Sequence, residues 1–449
     1  MALIKSIKNS YYLQSGIYSL GQRFSSLFFG FGSFYFLVRL YNTDQHGTWV
    51  IYFTTATIVE MSRNGLIQNA LIKFLSSAEH SERPKIHVAS LALNLFFSLL
   101  TFGLLLLASL WFLNSSYATL SKMFVVYGIN LILMVPFSHF VFIQMFNLNF
   151  KGIFYGALIR QGLFFVCVAY LYYDKQVVSL PYLVVIQAVS IFLSIAVLFF
   201  FAREYILFSK RLTLEWIRKL FQYGKYVMGT NISSMIFKTT DQYMLAALVS
   251  TGSTSIYNAA LRVSNLVEYP STSIADVIFP KSVREIREKG LTAAKRLYEK
   301  SVGLILAIVL PIIVLVWFNS DIVMLLIAGA DYKESGAILS IIILFGFITP
   351  FNRQFGTIMD AIGKPELNFR LLASTTVINI FANFVFITIY GTIGAAYGTL
   401  LSYSINLIIN QYLLQSILSV SFLSPFTYMI GFYKTALFGI VRTLNRFGK

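Results

Sequence analysis

Residues 16–36 read GIYSLGQRFSSLFFGFGSFYF, and residues 224–244 read GKYVMGTNISSMIFKTTDQYM. The two stretches align without a gap at a shift of 208 residues. Gly16, Tyr18 and Gly21 match Gly224, Tyr226 and Gly229; Ser25, Ser26 and Phe29 match Ser233, Ser234 and Phe237; Tyr35 matches Tyr243. The alignment runs on to Lys73 and Lys281, passing Glu60 against Glu268, with 13 of 58 positions identical. Glycine and polar positions are among the identities, so shared hydrophobicity alone does not explain them. The chain therefore reads as a tandem duplication.

Composition says what was duplicated. The chain is 57% hydrophobic and 12% charged, about half the charged fraction of a soluble globular domain, which is roughly 25%. Twelve segments are long enough to cross a bilayer, which takes about 20 residues: 13–38, 49–72, 87–113, 123–146, 153–173, 179–202, 226–249, 255–280, 301–319, 336–358, 369–390 and 393–418. The fold class expected is an all-α polytopic membrane protein of about twelve transmembrane helices in two six-helix lobes. The shift spans six helices, an even number, so both halves start on the same side of the membrane. They are parallel repeats, an arrangement that places a transporter's substrate site between them.

Of 35 Lys and Arg, 25 fall in the N-terminus, the even-to-odd loops and the C-terminal tail. Only Arg39, Lys122, Lys175 and Lys333 fall on the other side. By the positive-inside rule both termini are cytoplasmic. The net charge of +17 is thus a topology signal rather than a groove for nucleic acid. The expected organisation is residues 1–202 as the N-lobe with helices 1–6, 203–225 as a cytoplasmic amphipathic linker, 226–418 as the C-lobe with helices 7–12, and 419–449 as a basic cytoplasmic tail. Leu212 to Phe221, with Trp216 and Leu220, reads as a helix lying in the interface. In the tail a surface helix is favoured over a thirteenth span, because Lys434 interrupts the apolar run.

The remaining six cations, Arg23, Arg63, Arg160, Lys238, Arg262 and Arg353, lie inside the spans. A cation in hydrocarbon is costly and faces a cavity or the bundle interior. Four of the six sit on the first two helices of each half. Glu60, Asp241, Glu268 and Asp276 are the acids at the same depth. Glu60 and Arg63, and Lys238 and Asp241, are three residues apart on one helix face and can neutralise one another. Asp276 and Arg353, near span ends, can snorkel to the interface. Arg23 and Arg262 have no such local partner. A guanidinium fork matches phosphate oxygens in two-point geometry, so Arg23 and Arg262 are the expected phosphate contacts, supported by Arg63, Lys238 and Arg160.

Pro136, Pro270, Pro311 and Pro350 interrupt spans, and each removes a backbone hydrogen bond. Pro270 and Pro350 are the hinge candidates for alternating access. The lone Cys167 forms no intrachain disulfide. The four histidines show no metal-ligand spacing, so single surface or buried histidines are expected and no metal site. No G-x-x-x-x-G-K-[ST] loop occurs, and no catalytic residues or cofactor are expected. The outward loops, at most roughly 17 residues, are too short for a folded catalytic domain.

The stretch from Thr239 to Gly290 carries a resemblance. Asp241 is followed by Ser255-Ile-Tyr257-Asn-Ala-Ala, then Pro270, Phe279-Pro280 and a basic loop. It resembles the Wzx-type oligosaccharide flippases of the multidrug/oligosaccharidyl-lipid/polysaccharide (MOP) exporter superfamily, which tend to show G-x-Y-x-x-A there; Ser255 replaces the glycine. The resemblance covers essentially the whole chain in span count, repeat and loop pattern. It implies a MATE-like fold with a central cavity. The implied activity is flipping of an undecaprenyl-diphosphate-linked oligosaccharide, for O-antigen, capsule or exopolysaccharide synthesis. The implied location is the bacterial cytoplasmic (inner) membrane. The expected mode is alternating access, for which a proton or sodium gradient is a candidate coupling source. It also implies cavity arginines on early helices, and a polysaccharide polymerase and other pathway proteins as partners. Glu60, Asp241 and Glu268 are the candidates for ion coupling. A cation-coupled multidrug exporter of the same superfamily is the alternative; its cavity typically relies on carboxylates, and span 1 here carries Arg23 and no acid. A polysaccharide polymerase or ligase is disfavoured because such enzymes commonly carry a large outward loop.

Overall fold

The computed structural model describes residues 11–113, 117–207, 209 and 211–447. Its long helices are α1 (Tyr11–Leu40), α2 (Thr43–Ser77), α3 (Arg83–Phe112), α4 (Ala118–Phe146), α5 (Phe150–Tyr173), α6 (Leu180–Ala202), α7 (Leu214–Leu248), α8 (Thr251–Lys289) and α9 (Leu291–Phe318). Then come two short helices, α10 (Ser320–Ile327) and α11 (Ser335–Ile342), followed by α12 (Phe345–Ala361), α13 (Pro365–Tyr390), α14 (Thr392–Leu418) and α15 (Ser424–Phe447). Among the described residues there is no strand. The protein is an all-α polytopic membrane protein.

Eight helical stretches are long and apolar enough to span a bilayer on composition alone. They are α3, α4, α5, α6, α9, the run α11–α12, α13 and α14. The four expected spans that miss this standard are α1, α2, α7 and α8, the first two of each half. They are not short: they hold 30, 35, 35 and 39 residues. At 1.5 Å per residue each exceeds a hydrocarbon core of about 30 Å. They miss because they carry the charged and polar side chains.

The chain divides into two compact units, Met1–Ile236 and Phe237–Lys449, and the division falls inside α7. In unit 1, α1 packs on α5, α4 lies between α3 and α6, and α2 crosses α4. Small residues set the closest approach: a Cβ on Gly152 or Gly156 of α5 would overlap Gln144, Phe201 or Leu198. A core of Leu66, Leu71, Leu75, Ile86, Leu93 and Phe142 takes in Leu220 from the start of α7. The segment expected to lie apart as a linker helix is therefore, from Leu214, the first turns of α7. Asn231 further along donates to the Met61 carbonyl at 3.0 Å.

In unit 2, α8 packs on α9 and α12, and α13 pairs with α14. Ile343–Leu344 separate α11 from α12, and Gly346 and Phe347 bond back only three residues, to Ile343 and Leu344. Pro350 sits buried two turns beyond the start of this tightened stretch. Pro270 lies within α8, and its side chain falls outside the described residues, as does that of Asp276. Helix α15 begins packed against α9. Lys295 donates to the Ser419 carbonyl at 2.6 Å, Gly303 packs under Pro425 and Tyr428, and Tyr433 donates to the Ala307 carbonyl at 2.8 Å. Its first turns thus follow α9 in the same direction.

The duplication is visible in the caps. Asn42 accepts from the Gln45 amide at 2.8 Å and opens α2; Ser250 accepts from the Ser253 amide at 3.0 Å and opens α8. The two capping residues are 208 positions apart. Each satisfies an amide that the helix start leaves without a partner.

Candidate functional site

Charge inside unit 1 rests on three arginines and one acid, Glu60, within the expected spans 1–6. Glu60 faces α5 rather than its own helix neighbour. Arg160 Nη1 and Nη2 donate to Glu60 Oε1 and Oε2 at 3.1 and 2.9 Å, a two-point fork, and the guanidinium lies over the Phe137 ring. Glu60 is thus shared: its hydrogen bonds go to Arg160, and only its charge reaches Arg63. Arg63 is only 5% exposed. It donates weakly to Ser98 Oγ at 3.4 Å and to the Leu131 carbonyl at 3.5 Å, and its Nε has no partner. The result is two guanidinium groups for one carboxylate. Arg23, on α1, is exposed.

Unit 2 is balanced. Arg353 Nη2 donates to Glu268 Oε1 at 2.9 Å, so Arg353 is an ion-pair partner rather than a snorkelling end residue. Glu60 and Glu268 are equivalent in the duplication, yet their arginines come from non-equivalent helices, α5 and α12. Lys238 is exposed and Asp241 is buried. Asp241 takes its hydrogen bonds from the Tyr257 hydroxyl at 2.5 Å and the Gln242 amide at 2.8 Å instead of from Lys238. Arg262 has a local partner after all, a neutral one four residues back: its Nε donates to Asn258 Oδ1 at 3.1 Å. Asn258 Nδ2 in turn donates to Gln242 Oε1 at 3.3 Å.

These side chains border a cavity of about 310 Å³ within unit 2, between α7, α8, α12 and α14. Lys238, Asp241, Gln242, Asn258 and Glu268 line it, with Thr399 and the rings of Phe237, Phe345 and Tyr403. Behind Thr399, the Asn379 and Asn383 amides donate to its Oγ1 at 3.2 and 3.4 Å, while the Oδ1 atoms of both are buried with no partner.

Of the sequence-chosen residues, the structure joins Glu60 with Arg160, Glu268 with Arg353, and Lys238 with Asp241 around one cavity. Sequence reasoning took Tyr257 and Asn258 only as motif positions and missed Asn379, Asn383 and Thr399. Their polarity in apolar helices was the available signal. The histidines are not all single: His87 Nδ1 lies 3.4 Å from His139 Nε2, and Ser90 Oγ lies 3.3 Å from His139 Nδ1. A 52-residue separation hid that pair. No group of three or more metal-capable side chains occurs among the described residues.

Solved structures share this architecture. An inward-facing MATE-family multidrug transporter of the MOP superfamily superposes with a TM-score of 0.74, at 15% identity, over 88% of this chain and 94% of that one. The lipid II flippase MurJ superposes with a TM-score of 0.73, at 16% identity, over 95% and 92%. Curated relatives are more similar in sequence. An uncharacterized membrane protein of Methanocaldococcus jannaschii is 29% identical over 226 residues, which are 50% of this chain and 44% of that protein. A probable low-salt glycan biosynthesis flippase of Haloferax volcanii is 22% identical over 213 residues, 47% of this chain and 45% of that protein. The chain spans less than half the length of these curated relatives. A family model described as polysaccharide biosynthesis protein matches residues 36–337. The chain belongs to the polysaccharide biosynthesis protein family.

Proposed function

We propose that the protein is a flippase that carries an undecaprenyl-diphosphate-linked oligosaccharide from the cytoplasmic to the outer leaflet by alternating access. The observation that carries this reading is the positive interior of unit 1. Arg63 is buried with no carboxylate of its own, one turn from a Glu60 already held by Arg160. Two buried guanidinium groups that share one carboxylate leave an excess positive charge, which is costly, and an anionic substrate group offsets that cost. Arg23 and Arg63 are the diphosphate contacts in this reading. Arg262, named with Arg23 by sequence, instead orients Asn258 in unit 2. Family membership and the flippase named among the relatives support the glycan as cargo.

Ion coupling falls to Asp241. Glu60 and Glu268 are each committed to an arginine, whereas Asp241 faces a hydroxyl and an amide. Thr399, which accepts from the Asn379 and Asn383 amides, lines the same cavity and offers a further neutral oxygen. A carboxylate with neutral oxygens is the ligand set of a hard cation, and the same carboxylate can take a proton.

The test is transport in proteoliposomes loaded with labelled undecaprenyl-diphosphate oligosaccharide, under imposed proton or sodium gradients. Arg63→Ala and Arg23→Ala should each lower the rate about 10- to 100-fold, the worth of one charged hydrogen bond. Asp241→Asn should remove the gradient dependence. Wild-type protein that exports cationic drugs and leaves the lipid-linked glycan in place would establish the multidrug reading instead.

A further inference from the structure

The cavity of unit 2 has a chemistry of its own. Its two carboxylates, Asp241 and Glu268, are matched by Lys238 at its wall and by Arg353 bonded to Glu268. Two carboxylates share its lining with a single cation, Lys238, so a diphosphate meets no purely positive wall there. Tyr403 supplies an aromatic wall. Its ring stacks on Phe345 with centroids 5.3 Å apart and meets Phe237 edge-on at 5.6 Å. Neutral hydrogen-bonding side chains share the lining with those rings, and two are held in direction: Asn258 accepts from Arg262 and donates to Gln242. At about 310 Å³ the cavity is at the small end of small-molecule sites, which run roughly 300–1,000 Å³. An entire oligosaccharide does not fit in it; a single ring does.

Aromatic faces, fixed amides and a wall of mixed charge suit one class of ligand. A pyranose offers hydroxyls that both donate and accept, and a face of C–H bonds, slightly positive, that rests on the negative face of an aromatic ring. We propose that this cavity is the recognition subsite for one uncharged sugar ring of the carried glycan, a neutral hexose or an N-acetylhexosamine. Tyr403 and Phe237 form the platform, and Asn258 and Gln242 read the hydroxyls. The inference rests on the flippase reading and adds a division of labour: unit 1 takes the diphosphate, and unit 2 takes a sugar. Lys238, chosen from the sequence as a phosphate contact, then serves as a counter-charge in the sugar subsite.

Saturation-transfer NMR on the full chain in nanodiscs tests it, with methyl glucoside, N-acetylglucosamine, glucuronate and inorganic pyrophosphate as probes. At least one of the two neutral sugars should receive saturation at its ring C–H protons. Asn258→Ala should weaken that sugar about tenfold. Tyr403→Ala should abolish the ring C–H signal, and Tyr403→Phe, which keeps the ring, should retain it. Thr349 of α12 also lines the cavity, and Thr349→Trp, which fills it, should abolish binding while leaving the melting temperature and elution volume unchanged. Arg63→Ala should bind the sugar as wild type does. Saturation of no neutral sugar, or binding that survives Thr349→Trp, overturns the subsite. So does a preference for glucuronate or pyrophosphate that Thr349→Trp abolishes. Lipid-linked transport at the wild-type rate by Thr349→Trp overturns the subsite and leaves the flippase reading standing. Loss of transport in the wild type itself is the separate failure of that reading.

Discussion

Glu60 and Arg160 are 100 residues apart in sequence and make a two-point ion pair on the inner side of two apolar helices. Removing one partner of this half-buried pair leaves the other charge unmatched, at a cost of about 1.5–3 kcal/mol, the range for a charged hydrogen bond. Glu60→Gln should therefore lower the unfolding free energy in detergent by about that amount. The double variant Glu60→Gln with Arg160→Met should recover most of the loss, because the second change removes the stranded cation. Equal destabilisation by the single and the double variant in thermal melts would show that the pair is not the cause. The sequence exposed each of these charges individually, since a Glu or Arg in a lipid-soluble run cannot be overlooked. It did not expose the pairing. Helical spacing relates Glu60 to Arg63 and Lys238 to Asp241, but whether neighbours on one helix meet depends on what an adjacent helix offers. Arg160 and Tyr257 offered more.

Helix starts are where local sequence chemistry speaks most directly. The Asn42–Gln45 capping box that opens α2 and the Ser250 cap that opens α8 fall at equivalent places in the duplication. Asn42→Ala should cost about 1 kcal/mol of stability, read as a lower detergent melting temperature, while Asn42→Asp should cost little. The start of α7 is held by a different contact. Trp216 Nε1 donates to Glu82 Oε2 at 2.8 Å, and Lys85 bonds the other oxygen at 2.6 Å. These hydrogen bonds, Lys85 first and Trp216 second, hold the Glu82 carboxyl below the usual carboxylate range. A depressed carboxyl contributes its stability above the unfolded value and loses it as pH falls through the folded one. Tryptophan fluorescence should accordingly change on acidification below the usual carboxylate range, and Glu82→Gln should abolish the change. Most spans were legible to within a few residues, because apolar length is read directly. The amphipathic start of α7 was legible as a helix but not as part of a longer one. Its apolar side faces protein, Leu66 and Phe142 among others, and periodicity cannot distinguish a protein face from a membrane surface.

Across the whole chain, the duplication kept the frame and let the chemistry diverge. Glu60 and Glu268 persist in both halves, whereas Asp241 and Tyr257 correspond to Ser33 and Trp49. Unit 1 thus has no counterpart of the Asp241 centre, and unit 2 has none of the excess positive charge. The two-lobe plan was legible from the repeat; this division was not, because it depends on which charges are paired. Orientation remains a matter of loop charge. In a Cys167→Ser background, Ser209→Cys should react with a membrane-impermeant maleimide only after the cell is opened, and Lys175→Cys should react in intact cells. The reverse pattern would contradict the loop-charge orientation.

Helix α7 contributes Leu220 to the core of the first unit and continues into the second. This sets an order for biogenesis. When the first six spans have left the ribosome, the apolar end formed by Leu66, Leu75 and Ile86 still lacks its cover. The first unit cannot close until the opening turns of the second half of the gene have been translated. A nascent chain halted after residue 205 should be a target for membrane quality control, whereas one halted after 248 should persist.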